Sequence, residues 1–334
     1  MTVGERPKKP VNWVWRGVSL LIAAALIGVV LWLVEWDALL DVLGRVSPAS
    51  LIATFFVYVL LNLWRSFRFV ALLNRDDLQA WRVFPIALYH NFLVRLLPFK
   101  LGEFSYIVLM RQRMNVPVDE GVSSLFGSRL LELLMIVLVA AVSLLLAGDI
   151  LPIAPVIAWG LVAFCVLGGI AGFYMMGTLI RIFTGIVRRF IQMGFAVKLA
   201  DRLDNLAEEF DRIRDPKIFA RALFWSLFTY GGSFAVNWIL LLAVGVDVDI
   251  FTLILLVSIG MFATAFPFNI SGFGAVELGW TWGLTTLLAY SPAEAVSIGL
   301  LLNGYQLICA AIAGAIGYVL LQMYTPKPLV QTTN

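Results

Sequence analysis

From Val18 to Tyr324 the chain is a near-continuous succession of apolar runs, each close to the roughly 20 residues needed to cross hydrocarbon. Few folds are open to such a sequence. In lipid every backbone N–H and C=O has to be satisfied inside the protein, so a bundle of membrane helices is expected. Hydrophobic residues make up 61% of the 334 positions and charged residues only 13%, which excludes an ordinary soluble chain and leaves no stretch for a separate soluble catalytic domain. The expected fold is an all-α, polytopic membrane protein, one transmembrane domain over 1–334 and not an enzyme.

Two of the apolar runs are interrupted. Leu97-Pro98-Phe99-Lys100-Leu101-Gly102-Glu103 and Phe266-Pro267-Phe268-Asn269-Ile270-Ser271-Gly272-Phe273-Gly274, the second leading to Glu277, place proline, glycine and charged or amide groups where hydropathy alone would continue a helix. Backbone released at Pro98, Gly102, Pro267, Gly272 and Gly274 needs protein or water to satisfy it, so both breaks are expected to face an interior cavity. Each is followed by a similar sequel, Val116-Pro117-Val118-Asp119-Glu120 and Ser291-Pro292-Ala293-Glu294, that opens a long apolar helix. The pattern reads as a weak internal repeat, about 49–147 and 218–324, with the site at the repeat interface.

Lysine and arginine clusters assign the sides of the membrane. They put both termini in the cytoplasm, with full spans at about 17–35, 49–73, 117–147, 153–176, 218–244 and 292–324. Arg45 is the only basic residue in a loop placed outside. Arg65, Arg68 and Arg75 are expected where the second span emerges or snorkels. The run from Phe84 to Leu97 has about 14 residues, or about 21 Å of helix, short of the roughly 30 Å core. It is a half-span that returns through Glu103 to Met110, and Phe251 to Phe266 with Gly274 to Tyr290 is its counterpart from the outside. Six full spans and two re-entrant hairpins of opposite orientation follow. Between Thr178 and Asp215, leucines and Phe210 at three- and four-residue spacing alternate with charge, the pattern of an amphipathic helix on the cytoplasmic membrane surface. The first run, behind Arg6, Lys8, Lys9 and Arg16, lacks a small-residue cleavage pattern and is expected to be retained rather than removed as a signal.

Ionisable groups at membrane depth are costly, so each is a candidate site residue. The candidates are Arg95, Lys100 and Glu103 at the first break, Arg129 and Glu132 on one helix face, Asn269, Ser271 and Glu277 at the second break, and Asn303 and Gln306 on the last helix, near Tyr305. His90 and Asn91 lie nearby, His90 read as a helix-start packing or capping residue. Arg95, Lys100 and Arg129, with two helix N-termini, would suit a phosphate. A purely structural alternative stays open, in which these cations neutralise Glu103, Glu132 and Glu277. Gly272-Phe273-Gly274 before Glu277 fails the dinucleotide fingerprint, and a single histidine makes no zinc site. No cofactor, metal or nucleic-acid partner is expected, and Cys165 and Cys309 are expected to pack rather than pair.

At these residues the chain resembles the lysylphosphatidylglycerol synthase transmembrane region, a flippase-like membrane family. The matching features are Asn91, Leu97-Pro98 with Gly102-Glu103, Arg111, Val116-Pro117, Arg129-Leu130-Leu131-Glu132, Pro267 with Ser271-Gly272-Phe273-Gly274 and Glu277, and Ser291-Pro292 with Ala295. The resemblance implies movement of an anionic phospholipid or a polyprenyl-phosphate-linked lipid between leaflets of the plasma membrane, with Glu103 and Glu277 meeting a cationic headgroup or a coupling proton. Members that make lipid or transfer sugar carry a soluble domain that is not expected here. A separately encoded lipid-modifying enzyme is then an expected partner besides the lipid, and a homodimer is left open. Two other functions also stay open: a secondary transporter of a small soluble anion, and a non-transporting membrane partner of a glycosyltransferase or lipid synthase.

Overall fold

The computed structural model describes residues 36–97, 101–146, 155–190, 194–265 and 275–323. Every described regular element is an α-helix: α1 Trp36–Gly44, α2 Pro48–Leu73, α3 Ala80–Leu96, α4 Glu103–Met114, α5 Val118–Leu146, α6 Pro155–Phe190, α7 Gly194–Ile213, α8 Pro216–Ala243, α9 Ile250–Ala265, α10 Ala275–Leu288 and α11 Pro292–Met323. Among the described residues, stretches of α2, α5, α6, α8 and α11 are long and apolar enough to cross a membrane. The chain is therefore a multi-pass helical membrane protein. The expected span at 17–35 lies outside the described residues, as do Pro98 to Lys100 and Phe266 to Gly274 within the two expected breaks.

The polarity is turned inward as lipid requires. Thr54, Asn62, Ser66, Ser123, Ser124, Ser226 and Asn237 are buried, and most return a side-chain hydrogen bond to a carbonyl three or four residues back, such as Asn62 Nδ2 to Tyr58 O at 2.8 Å and Ser226 Oγ to Ala222 O at 2.8 Å. That device satisfies a hydroxyl or amide without leaving its own helix. Phe56, Phe104, Phe164, Leu227, Trp282 and Ile312 are exposed large hydrophobics, as a lipid-facing surface requires.

A long helix, two short helices and a long helix occur twice, as α2 to α5 and α8 to α11. Packing follows the same pattern. α2 lies most extensively against α8, α3 packs on α11 and α9 on α5, while α3 with α4 and α9 with α10 pack as adjacent pairs. Tyr58 and Leu61 of α2, Leu240 and Leu241 of α8, Leu256 of α9, Trp280 of α10 and Leu302 of α11 belong to the central cluster. Two glycines set the approach of α11 to α3. A Cβ on Gly317 would sit 2.7 Å from Pro85 O and 2.9 Å from Leu88 Cβ, and one on Gly314 would overlap Phe92, so larger residues there would push the helices apart. Cys309 is buried among apolar neighbours, as expected of a packing cysteine; the Cys165 side chain lies outside the described residues.

Three expectations about local structure are corrected. α3 begins at Ala80, not Phe84, so His90 sits well inside a helix rather than near its start. The helix expected to end near 176 continues as α6 to Phe190 and carries Arg181, Arg188 and Arg189. The amphipathic α7 is covered by protein: Ala200, Ala207, Phe210 and Ile213 are buried, Phe210 meets Phe126 of α5 edge-on at 6.5 Å, and Arg188 of α6 binds Asp201 at 2.8 Å and Asp204 at 2.7 Å. An apolar stripe states that a face is covered but not by what, and Arg181 and Arg188 of α6 are matched by aspartates of α7. The expected stop at Asp215 and Pro216 holds. Asp215 caps α8 by accepting from Lys217 N at 2.7 Å, with Pro216 in the first turn. Asp215→Ala is expected to cost about 1 kcal/mol, read as a lowered thermal midpoint in detergent.

Candidate functional site

Residues of α2, α3, α4, α5, α8, α9, α10 and α11 line a cavity of about 510 Å³. Its polar lining comes from side chains that the sequence scatters over more than 240 positions: Arg65, Asn91, Arg95, Glu103, Arg129, Glu132, Asn237, Asn303 and Gln306 among them. Of the expected site residues, Arg95, Glu103, Arg129, Glu132, Asn303 and Gln306 meet here. Glu277 joins them through Asn303, whose Nδ2 donates to Glu277 Oε1 at 2.6 Å. Lys100, Asn269 and Ser271 lie outside the described residues, with Pro98, Pro267, Gly272 and Gly274; Gly102 is described and buried.

One wall is ionic. Arg129 lies between two carboxylates, donating from Nη2 to Glu103 Oε2 at 2.7 Å and from Nη1 to Glu132 Oε2. Glu132 also receives Arg68 Nη2 at 2.5 Å, across 64 residues of sequence. Glu103 opens α4 and so sits at the positive end of that helix. Behind it His90, 1% exposed, places Nδ1 3.0 Å from Ser105 Oγ and Nε2 3.9 Å from Glu103 Oε2, and Phe69 and Tyr106 stack beside the imidazole.

The other wall is built of amides. Gln306 accepts from Arg95 Nη2 at 2.9 Å and donates to Asn237 Oδ1 at 3.0 Å. Asn91 donates to Tyr58 Oη at 2.6 Å. Glu277 lies in the first turn of α10, as Glu103 does in that of α4. The correspondence extends to partners: the Arg129 to Glu103 bond and the Asn303 to Glu277 bond each span 26 residues. Arg68 with Glu132 joins α2 to α5, and Asn237 with Gln306 joins α8 to α11, at separations of 64 and 69. The two sets of contacts thus have similar sequence separations, in one case between ions and in the other mainly between neutral groups.

Arg65 and Arg68 correct the expectation that they emerge into water. Arg68 is 0% exposed and Arg65 lines the cavity, bonded through Nη1 to Asn62 Oδ1 at 3.1 Å. The snorkelling argument assumed a helix end at the interface, but α2 is packed on α5 and α8 at this level. Asn237 was missed as well. A lone asparagine in the apolar tail of α8 and two arginines three apart beside Asn62 and Ser66 were the available signals.

The net consequence is electrostatic. Both carboxylates that line the cavity, Glu103 and Glu132, are paired with arginine. Among the described residues, Arg65 and Arg95 have no carboxylate within 4.0 Å, so the cavity carries surplus positive charge at the end of fixed guanidinium forks. Guanidinium groups placed in this way are chemically suited to an anion, above all to the oxygens of a phosphate.

A family model described as Lysylphosphatidylglycerol synthase TM region matches residues 18–314. A relative from Haloferax volcanii, called Glycosyltransferase AglD, is 23% identical over 337 aligned residues, covering 90% of this chain and 53% of that protein. The chain thus spans about half the length of that relative. No solved structure matches.

Proposed function

Because the chain belongs to the lysylphosphatidylglycerol synthase transmembrane-region family, we propose that its cavity takes up the headgroup of an anionic phospholipid or polyprenyl-phosphate-linked lipid and passes it between the leaflets. The observation that carries this reading is the surplus of guanidinium groups at Arg65 and Arg95 in a cavity whose own carboxylates are already paired. The exposed faces of Phe126 and Leu133 at the cavity wall offer acyl or prenyl chains a path into lipid while the headgroup is inside.

The way across comes from an inverted repeat. We read α3 with α4 and α9 with α10 as re-entrant hairpins that approach the midplane from opposite faces. The reading is supported by the reciprocal packing of α3 on α11 and α9 on α5, and by the equivalent bonds at Glu103 and Glu277. Rocking of one half against the other would open the cavity to each leaflet in turn. In this account 17–35 supplies the sixth span, both termini face the cytoplasm of a plasma-membrane protein, and the domain moves lipid without altering it. The similarity to a glycosyltransferase over about half its length favours one further proposal: a lipid-modifying enzyme works beside this domain.

The test is leaflet exchange in liposomes. A fluorescent anionic lipid should exchange at least about tenfold more slowly with Arg95→Gln or Arg65→Gln than with the unsubstituted chain, the loss expected of a charge-assisted hydrogen bond. Equal rates for both variants would refute transport through this cavity.

A further inference from the structure

Resting on that reading, we infer that the cavity selects an anionic headgroup bearing hydroxyls, a glycerol or sugar phosphate, and rejects a headgroup bearing an ammonium. The sequence reading had Glu103 and Glu277 meet a cationic headgroup or a coupling proton; the geometry argues against the first of these. Glu103 and Glu132 are held by Arg129 and Arg68, and Glu277 is not among the lining residues and accepts from Asn303. Among the described lining residues, an ammonium entering the cavity would find only carboxylates already paired with arginine, and would stand against Arg65, Arg95 and Arg129. Like charges in a site of lowered dielectric repel strongly.

Hydroxyl groups fit the same space. They both donate and accept, and the cavity lining includes groups that do the same: the amides of Asn91, Asn237 and Gln306, and the hydroxyls of Thr229 and Ser233. Each primary amide offers two N–H donors and two acceptor lone pairs, more than the bonds these side chains make to one another. At about 510 Å³ the cavity falls within the range of pockets that enclose a small polar molecule. Phosphate oxygens at Arg65 and Arg95 would leave the hydroxyls of the same headgroup facing Asn237 and Ser233. Charge and neutral hydrogen-bonding groups thus meet in one cavity, joined where Arg95 Nη2 donates to Gln306 Oε1 at 2.9 Å.

The experiment is lipid competition on the full chain in detergent, read by native mass spectrometry. Phosphatidylglycerol is set against phosphatidic acid, which lacks the hydroxyls, against lysylphosphatidylglycerol, which adds ammonium groups, and against soluble glycerol phosphate. Phosphatidylglycerol should be retained at least about tenfold over the lysyl lipid and several-fold over phosphatidic acid, and soluble glycerol phosphate should not displace it. Ser233→Ala should reduce only the preference over phosphatidic acid. Gln306→Glu, nearly isosteric, supplies a carboxylate to Arg95 and should shift retention toward the lysyl lipid. Equal or better retention of the lysyl lipid by the unsubstituted chain overturns the inference, as does displacement by soluble glycerol phosphate or a Gln306→Glu protein of unchanged preference. Retention is measured without transport, so selective binding with no leaflet exchange would sink the transport reading alone, and exchange without selection would sink this one alone.

Discussion

Replacing Glu132 by alanine should destabilise the protein by about 3–5 kcal/mol, the cost of leaving buried charge without its counterion. Glu132 is the acceptor for Arg68 and Arg129 together. Arg68 is wholly buried, and its Nε and Nη1 already have no hydrogen-bond partner, so loss of the carboxylate leaves that guanidinium with nothing to offset its desolvation. Arg129 keeps Glu103 at 2.7 Å and is less affected. Thermal unfolding in detergent is the measurement, and an unchanged midpoint would show that the pair contributes nothing. Adding Arg68→Leu to Glu132→Ala should recover most of the loss, because the double variant buries no unpaired charge on this side. Arg68→Leu alone should cost less than Glu132→Ala, since Glu132 then retains Arg129.

The second large effect is steric. Gly102→Ala should cost about 3 kcal/mol, the upper part of the range for overpacking, and should reduce leaflet exchange in proportion to the folded fraction or more. A Cβ at Gly102 would overlap the carbonyl oxygen of Leu93 and the backbone of Val94. Backbone cannot rotate aside as a side chain can, so α4 would have to move away from α3. The glycine has an ordinary helical φ of −59°; space, not conformational freedom, requires it. Glu103 follows directly and would be carried off Arg129, coupling the fold defect to the cavity. Gly185→Ala is the control, since nothing lies within 4 Å of its Cβ position. It should be neutral or slightly stabilising in the interior of α6, and a Gly102→Ala protein with the same midpoint as this control would refute the packing argument.

Much of the site was legible because its residues break a local rule. Arg95, Glu103, Arg129, Glu132, Asn303 and Gln306 are polar where hydropathy demands apolar, and all six line one cavity. Arg65 and Arg68 broke the same rule but admitted a local excuse, being near the end of a long helix whose exit from the membrane had been placed by charge. Asn237 was overlooked because a single amide costs little in a helix that can bond its own carbonyl, as it does to Ser233 O at 2.8 Å. The structural alternative for the ions also proved partly right: Glu103, Glu132, Arg68 and Arg129 do neutralise one another, and the surplus that points to a ligand resides in Arg65 and Arg95.

The division of labour between sequence and tertiary structure has a physical basis. Apolar run length, glycine and proline at membrane depth, and the cost of charge in hydrocarbon are properties of a segment, so membership of the membrane, the helical class and most of the polar candidates were determined by the sequence alone. Which ion faces which depends on helix rotation and packing between segments far apart in the chain. No periodicity encodes that a guanidinium on α2 meets a carboxylate 64 residues away on α5, or that an amide pair joins α8 to α11. Only the packed bundle decided that α7 would be covered by protein, that the glutamates would be engaged by arginine, and that positive charge would be left to face the cavity.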